Sequence, residues 1–178
     1  PLPGVAIRIV DDNNQPLAAN ETGNIQVKGP NVFKGYWKMP EKTAEDFTAD
    51  GFLNTGDKGC IDDAGYLAIV GRAKDLVITG GLNVYPKEIE LLLDKLPGVK
   101  ESAVIGVPHP DFGEAVVAIV VGSGEPEIDG DQIIGAIKQQ AANFKVPKKV
   151  ITVSELPRNT MGKVQKNLLR KQYADCLG

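Results

Sequence analysis

The chain has 178 residues, of which 42% are hydrophobic and 24% charged, an ordinary composition for a soluble globular protein. Its length suits one large domain or two small ones, and its net charge of -3 gives no overall attraction to nucleic acid or to an anionic membrane. Cys60 and Cys176 have neither metal-ligand spacing nor the numbers of a disulfide framework, which predicts a reducing, cytoplasmic location. No apolar run approaches the ~20 residues of a membrane span.

Residues 1–71 have the pattern of short strands separated by turns. Strands are predicted over 5–10, a β-branched apolar run, and over 24–29, where apolar and polar side chains alternate. A short helix is predicted over 40–47, which starts with proline and has early acidic residues. The segments GCID and GYLAIV, joined by DAG, predict a hairpin. So small a piece buries apolar surface inefficiently, so we expect a remnant of a larger β-rich domain.

Residues 72–178 are predicted to form a separate α+β domain, with the boundary between Gly71 and Arg72. The predicted order is a strand pair around Gly80 and Gly81, a helix, two strands, a helix, a strand, a loop and a last helix. The predicted spans are 86–96, 102–107, 115–121, 129–143, 149–153 and 164–174. About a hundred residues in this order suit a compact domain. The chain also begins on PLPGVAIRIV without a methionine, so we expect a fragment of a longer protein.

The segment NTGDKG places Asp57 between two glycines, and we expect it on a turn that ends a strand. A carboxylate offers about four lone-pair sites, which is enough to accept both hydroxyl groups of a ribose. The alternative for Asp57 is a turn aspartate without a ligand.

The run GRAKDLVITGGLNVYPKEIE begins at the predicted domain boundary. Arg72 presents a five-donor fork that suits a sugar oxygen or a phosphate, and Lys74 follows at the position of a hinge. Gly80 and Gly81 allow a close approach of the backbone or a positive φ. The alternative is an interdomain linker followed by a simple hairpin turn.

The segment LPRNTMGKVQKNLLR presents Lys163 from a loop whose Pro157, Asn159 and Gly162 restrict the backbone. A lysine ~4 Å from a phosphoryl oxygen, at an effective dielectric constant near 20, contributes roughly 4 kcal/mol. Where charge develops in a transition state, that is about a thousandfold in rate. The alternative for Lys163 is a solvated basic surface. Residues 144–171 contain eight basic side chains and one acid, and we expect a solvated surface for three of them, Lys166, Arg170 and Lys171.

Taken together and in this order, these three segments resemble the C-terminal part of the adenylate-forming acyl-CoA synthetases, the superfamily that includes luciferases and peptide-synthetase adenylation domains. The run GPNVFKGYWKMPEKTAEDFTADGFLNTGDKG is similar to that family's approach to its ribose-binding aspartate. With VIGVPHPDFGEAVVAIVV added, the chain looks closest to malonyl-CoA synthetases. The resemblance covers essentially the whole chain, and it implies a β-rich part of the large AMP-binding domain followed by a small C-terminal lid domain.

The resemblance also implies a role for each candidate residue. Asp57 and Arg72 match the residues that contact the ATP ribose, and Lys163 matches the lysine that touches the α-phosphate and the carboxylate during adenylation. Lys74 lies at the hinge about which the small domain turns. Gly80 and Gly81 lie in the loop that lines the pantetheine tunnel during thioester formation.

The implied reaction has two steps. A carboxylate attacks the α-phosphorus of ATP to give acyl-adenylate and pyrophosphate, and the CoA thiol then attacks the acyl carbon while AMP leaves. The implied acid is malonate or a related small carboxylate, in fatty acid metabolism. The phosphate loop, the acid pocket and the glutamate that binds Mg2+ lie upstream of Pro1 in the family. We therefore expect the other partner of this chain to be the N-terminal portion of the same protein, and the fragment alone to be inactive.

Two alternatives remain beside this interpretation. One is an adenylation domain that loads a carrier-protein thiol, although no carrier-protein serine motif follows the last helix. The other is a non-catalytic anion-binding module that uses the basic surface, although no nucleic-acid motif or interleaved aromatic residues are present. The resemblance also implies a lysine acetyltransferase as a partner, because acetylation of Lys163 removes its charge.

Overall fold

The computed structural model describes residues 2–124 and 129–178, and the chain divides into two compact units, Pro1–Lys74 and Asp75–Gly178. This division lies three residues after the boundary expected between Gly71 and Arg72, which stays a prediction. The first unit is β-rich and the second mixes helices with strands, so the predicted α+β fold is confirmed. Within the described ranges, no helix is long and apolar enough to cross a membrane.

The first unit is a four-stranded antiparallel sheet in the order β1-β2-β3-β4, with one short helix. Its elements are β1 (Ala6–Val10), β2 (Gly23–Lys28), α1 (Pro40–Asp46), β3 (Leu53–Ile61) and β4 (Leu67–Arg72). The predicted strands, the helix with proline in its first turn and the β3–β4 hairpin are therefore confirmed. Its buried apolar side chains among the described residues are Ile9, Val10 and Ile25, a small core for a unit of this size.

The second unit contains a five-stranded sheet with helices on both faces. Its elements are β5 (Val77–Thr79), β6 (Leu82–Val84), α2 (Pro86–Leu93), β7 (Val99–His109), β8 (Gly113–Gly122), α3 (Gly130–Lys138), β9 (Lys149–Val153) and α4 (Lys166–Gln172). The sheet order is β6-β5-β8-β7, and β9 runs parallel to β8. The predicted order of elements is confirmed.

The alternation of side chains along β7 and β8 divides the core into two clusters. One face, with Val104 and Val120, packs against α2 and α3, and the other face, with Ile105 and Ile119, packs against Leu169 of α4. Because both faces are covered, β8 is a continuous apolar run rather than an alternating one.

Three predicted helix spans were too long, and the first of them, helix α2, ends at Leu93 instead of residue 96. Helix α3 ends at Lys138 instead of residue 143, because the chain turns so that Phe144 packs against the core in the short 3-10 helix Asn143–Lys145. Helix α4 begins at Lys166 instead of residue 164, because Val164 is still in a β-bridge with Arg158.

Candidate functional site

Asp57 and Arg72 of the first unit are neighbours across the β3–β4 hairpin. Arg72 Nε lies 3.1 Å from Asp57 Oδ1, and Arg72 Nη1 donates to the Thr55 carbonyl oxygen at 3.1 Å. The Asp57 side chain is 29% exposed and that of Arg72 is 49% exposed. The arginine is thus held at two points while its remaining donors, and most of the carboxylate's lone pairs, face solvent.

The position of Asp57 differs from the expectation. It was predicted on a turn at the end of a strand, and it lies inside β3 next to a register shift between Lys58 and Gly59. Thr55, two residues earlier, fixes the backbone of Asp57. The Thr55 hydroxyl accepts a hydrogen bond from the Asp57 N–H at 3.1 Å and donates to the Ile25 carbonyl at 2.9 Å. The β-bulge therefore supplies the local irregularity that the sequence pattern assigned to a turn.

Gly80 and Gly81 form the two-residue turn between β5 and β6. Both have positive φ, 55° and 79°, as a type I′ hairpin turn requires, so the second of the two predicted reasons for these glycines, a positive φ, is confirmed. The Gly80 N–H donates to the Phe112 carbonyl at 2.9 Å. The Glu114 carboxylate accepts from the Ile78 N–H at 2.8 Å, which fixes β5 to the start of β8.

Lys163 is exposed at the end of a tight loop whose backbone is held by Asn159. The Asn159 N–H donates to the Lys163 carbonyl at 2.9 Å, and Asn159 Oδ1 accepts from the N–H groups of Met161 and Lys163 at 3.0 and 2.9 Å. Gly162 adopts φ 77°, which the loop needs in order to close. The prediction that Asn159 and Gly162 fix the backbone around Lys163 is confirmed.

Most basic side chains between residues 144 and 171 have partners within the second unit. Five are bound by ion pairs or hydrogen bonds: Lys145 to Glu88, Lys149 to the Cys176 carbonyl, Arg158 to Glu101, Lys166 to Glu90 and Arg170 to Asp75. Lys163 and Lys171, by contrast, form no ion pair with any residue that the structure describes. The expected solvated surface was therefore wrong for Lys166 and Arg170, whose side chains are only 16% and 27% exposed, because acids distant in sequence pack against them.

The candidate residues are divided between the two units. Asp57 and Arg72 contact each other in the first unit, and Lys163 and the Gly80–Gly81 turn lie in different loops of the second. Lys74 is exposed in the 3-10 turn Ala73–Asp75, at the division between the units. Among the described side chains, no group of three or more His, Cys, Asp or Glu is placed to hold a metal ion.

Sequence reasoning missed the acids that anchor these groups, Glu90, Glu101 and Glu114. In the sequence, Glu90 of α2, Glu101 of β7 and Glu114 of β8 look like ordinary solvent-facing acids. Glu90 differs from the other two acids in being buried, between the Val104 N–H and Lys166, and no local sequence pattern predicts that burial.

Comparison with protein families gives two matches. Residues 88–163 match the AMP-binding enzyme C-terminal domain, and residues 1–37 match the AMP-binding enzyme domain. Together the two matched segments cover more than half of the chain and include Lys163 at the end of the longer one.

Curated relatives and solved structures agree with these matches. A 3-[(3aS,4S,7aS)-7a-methyl-1,5-dioxo-octahydro-1H-inden-4-yl]propanoyl:CoA ligase of Rhodococcus jostii (strain RHA1) is 47% identical over 96% of this chain and 31% of the relative. A malonate–CoA ligase of Arabidopsis thaliana is 41% identical over 96% of this chain and 29% of the relative. The crystal structure of ATP-bound MatB from Rhodopseudomonas palustris, 59% identical, superimposes with a TM-score of 0.93 over 99% of this chain and 35% of that one. The chain spans about a third of the length of the proteins it matches.

Proposed function

Because the chain belongs to the family of AMP-binding enzymes, we propose that it is the C-terminal part of an ATP-dependent carboxylate–CoA ligase. The complete enzyme forms an acyl-adenylate with release of pyrophosphate, and then an acyl-CoA with release of AMP. Two relatives of this chain are named as CoA ligases, which supports CoA as the acceptor. A solved relative with bound ATP supports the nucleotide.

The geometry of Lys163 is the observation on which the proposal depends. Three hydrogen bonds fix the backbone of this turn: Asn159 Oδ1 accepts from the N–H groups of Met161 and Lys163, and the Asn159 N–H donates to the Lys163 carbonyl. The ammonium group is exposed and forms no ion pair with the described residues. An ammonium held in this way is available to an α-phosphate oxygen and to the substrate carboxylate. Its attraction for a phosphoryl oxygen at ~4 Å is roughly 4 kcal/mol at an effective dielectric constant near 20.

Asp57 and Arg72 are proposed to hold the ATP ribose. The carboxylate has lone pairs left for two hydroxyl groups, and Arg72 is already oriented by its contacts with Asp57 and Thr55. An arginine whose fork is fixed before the ligand arrives loses less side-chain entropy on binding.

Lys74 and the Gly80–Gly81 turn are proposed to serve the change between the two steps. Lys163 closes over the phosphate in the first step, and the thiol must reach the same centre in the second, so the small domain turns about Lys74. The glycine turn then lines the passage for the pantetheine arm, where the absence of side chains lets a ligand come close to the backbone.

The proposed acid is malonate or another small carboxylate. A malonate–CoA ligase is among the relatives, which supports this substrate, but a ligase for a bicyclic propanoate is slightly more similar in sequence. We propose that the acid pocket and the Mg2+ ligand belong to the N-terminal portion of the complete enzyme. The described residues here contain no metal-binding cluster, so we assign no step of the reaction to a metal held by this chain.

No specific observation favours either alternative, the anion-binding module or the adenylation domain that loads a carrier protein. A nucleic-acid or general anion-binding module needs a free basic surface, and five of the eight basic side chains in residues 144–171 are engaged by acids or a carbonyl. A carrier-protein acceptor is not supported by the names of the two curated relatives above, both CoA ligases.

The deciding experiment measures carboxylate-dependent exchange of pyrophosphate into ATP by the complete enzyme. We expect exchange with malonate, and a fall of about a hundredfold or more in Lys163→Ala, because the variant lacks the charge that offsets the developing phosphate charge. Lys171→Ala is the matched control, since it removes one lysine that is exposed and without an ion pair in the described structure. Exchange with acetate or a fatty acid instead of malonate would correct the substrate. Exchange that is indifferent to Lys163 would refute its catalytic role.

The ribose assignment has its own test. In Asp57→Ala, we expect kcat/KM for ATP to fall roughly thirtyfold, about 2 kcal/mol for lost hydrogen bonds to a charged acceptor. The variant should use 2′,3′-dideoxy-ATP as well as the wild type does, because that nucleotide has no hydroxyl groups to lose. Glu41→Ala removes an exposed acid from the same unit and is expected to change neither value. An equal loss with both nucleotides would show that Asp57 acts elsewhere.

The exposure of Lys163 also makes it accessible to a lysine acetyltransferase. Acetylation keeps the side chain and removes its charge, so enzyme acetylated at Lys163 should lose exchange activity as Lys163→Ala does. Full activity of the acetylated enzyme would exclude this form of regulation.

A further inference from the structure

The peptide unit that precedes Lys163 is bound at both of its polar ends by side chains. The Gly162 carbonyl accepts a hydrogen bond from Arg158 Nη1 at 2.6 Å, and the Lys163 N–H donates to Asn159 Oδ1 at 2.9 Å. Because a peptide unit is planar, these two bonds fix the backbone before the Lys163 Cα. The Lys163 carbonyl accepts from the Asn159 N–H at 2.9 Å, which fixes the backbone after it and with it the direction of the Cα–Cβ bond. The two hydrogen bonds are needed because Gly162, with φ 77°, has no Cβ that would by itself restrict the orientation of this peptide unit.

The two side chains differ in where they are anchored. Asn159 belongs to the turn and moves with it. Arg158 also forms an ion pair between Nη2 and the Glu101 carboxylate of β7, and β7 pairs with β8 from Val99 to His109. Arg158 therefore links the Gly162 carbonyl to the longest strand pair of the second unit.

We propose that Arg158 is a positioning residue for Lys163, with Glu101 as its anchor. The guanidinium group holds the Gly162–Lys163 peptide unit at a fixed position relative to β7, so that the Lys163 Cα–Cβ bond points in one direction. This inference rests on the proposed role of Lys163 in adenylate formation. It goes beyond that role because it assigns a function to Arg158 and Glu101, which are not among the residues proposed above to contact the nucleotide or the acid.

The chemistry of the pair explains why arginine suits this position. A planar fork can donate to a carbonyl from one nitrogen and to a carboxylate from another, whereas an ammonium is a single point charge on a flexible chain. Hydrogen bonds from a charged donor are also roughly twice as strong as neutral ones. Arg158 is 44% exposed and Glu101 29% exposed, so both can be replaced without opening the core.

The test compares the two half-reactions of the complete enzyme. In Arg158→Gln we expect kcat for malonate-dependent adenylation to fall about tenfold, while KM for ATP changes less than twofold. Formation of malonyl-CoA from supplied malonyl-adenylate should stay within twofold of the wild type, because that step does not use Lys163. Arg158→Lys should recover part of the loss. The double variant Arg158→Gln with Glu101→Gln should be no slower than Arg158→Gln, because the two residues act as one unit.

A second measurement is independent of catalysis. Limited digestion with trypsin, followed by mass spectrometry, gives the rate of cleavage after Lys163. That rate should rise severalfold in Arg158→Gln, because the freed loop adopts the extended conformation that a protease requires. Lys171→Gln removes the same charge from the same region and is expected to change neither this rate nor adenylation.

Each outcome decides something different. Equal loss in both half-reactions would overturn positioning and indicate a general structural role for Arg158. Unchanged adenylation and unchanged cleavage, in an enzyme whose wild type shows exchange, would overturn the proposal and leave the ligase function intact. If the wild type shows no exchange with any acid, the ligase proposal fails and the catalytic purpose of the Arg158 contact fails with it.

Discussion

The ion pair between Lys166 of α4 and Glu90 of α2 predicts a large effect on stability. Lys166 Nζ lies 2.5 Å from Glu90 Oε1, and the same oxygen accepts the Val104 N–H at 2.9 Å. Strand β7 is at the edge of its sheet, so this contact caps one of its free backbone donors and joins helices from opposite faces. The side chains are only 16% and 8% exposed.

The expected magnitude follows from this burial. At 2.5 Å and an effective dielectric constant near 20, the attraction is about 7 kcal/mol before desolvation, which costs several kcal/mol per ion. Removing one partner of a buried pair costs roughly 3–5 kcal/mol, because the other charge stays buried without compensation. Since Lys166 retains some exposure, we expect Lys166→Met to lower the free energy of unfolding by about 3 kcal/mol. For a unit of this size, that corresponds to roughly 12 °C in Tm.

Urea unfolding of this chain measures the effect, with the midpoint reduced and the m-value unchanged. Lys171→Met on the same helix is the control and is expected to change stability by less than ~0.5 kcal/mol. Adding Glu90→Gln to Lys166→Met should recover most of the loss, because the amide oxygen still accepts the Val104 N–H and no charge is buried. If Lys166→Met costs no more than Lys171→Met, the pair adds nothing to stability and the reasoning from burial is wrong.

Three further predictions concern single positions. Gly81→Ala should destabilise by about 1–2 kcal/mol, because its φ is 79° although no atom lies within 4 Å of the added Cβ. Gly135→Ala in α3, equally open, should stabilise by roughly 0.5–1 kcal/mol, and the same sign for both in thermal unfolding would contradict this. A hydrogen bond from Arg8 lowers the pKa of Asp50 from 3.8 to about 2. The stability this adds is complete above pH ~4 and is lost as the pH falls through about 2. In Arg8→Gln, carboxyl NMR should show the pKa of Asp50 rising towards 3.8, and an unchanged value would exclude Arg8 as the cause.

The elements of this fold were readable from local patterns. Apolar β-branched runs give β1 and β8, proline marks the start of α1 and α2, and paired glycines mark the β5–β6 turn. These features depend on residues a few positions apart, where backbone preferences and side-chain alternation act directly. Helix ends were less predictable, because packing of Phe144 against the core decided where α3 stops.

The fixed backbone around Lys163 was also predictable from the sequence. Asn159, Gly162 and Lys163 lie within one loop, and the hydrogen bonds that hold the lysine backbone connect residues no more than four positions apart. Such contacts are encoded by the order of residue types alone.

Only the tertiary structure decided which charges were already engaged. Arg158 forms an ion pair with Glu101, which is 57 positions away in the sequence, and Arg170 with Asp75, which is 95 positions away. No local sequence pattern predicts either pair. Asp57 and Arg72 likewise become neighbours only through the register of β3 and β4. How strands and helices pack decides which ion pairs form. Packing divides a basic stretch that looks uniform in sequence into bound side chains and lysines, Lys163 among them, that form no ion pair with the described residues.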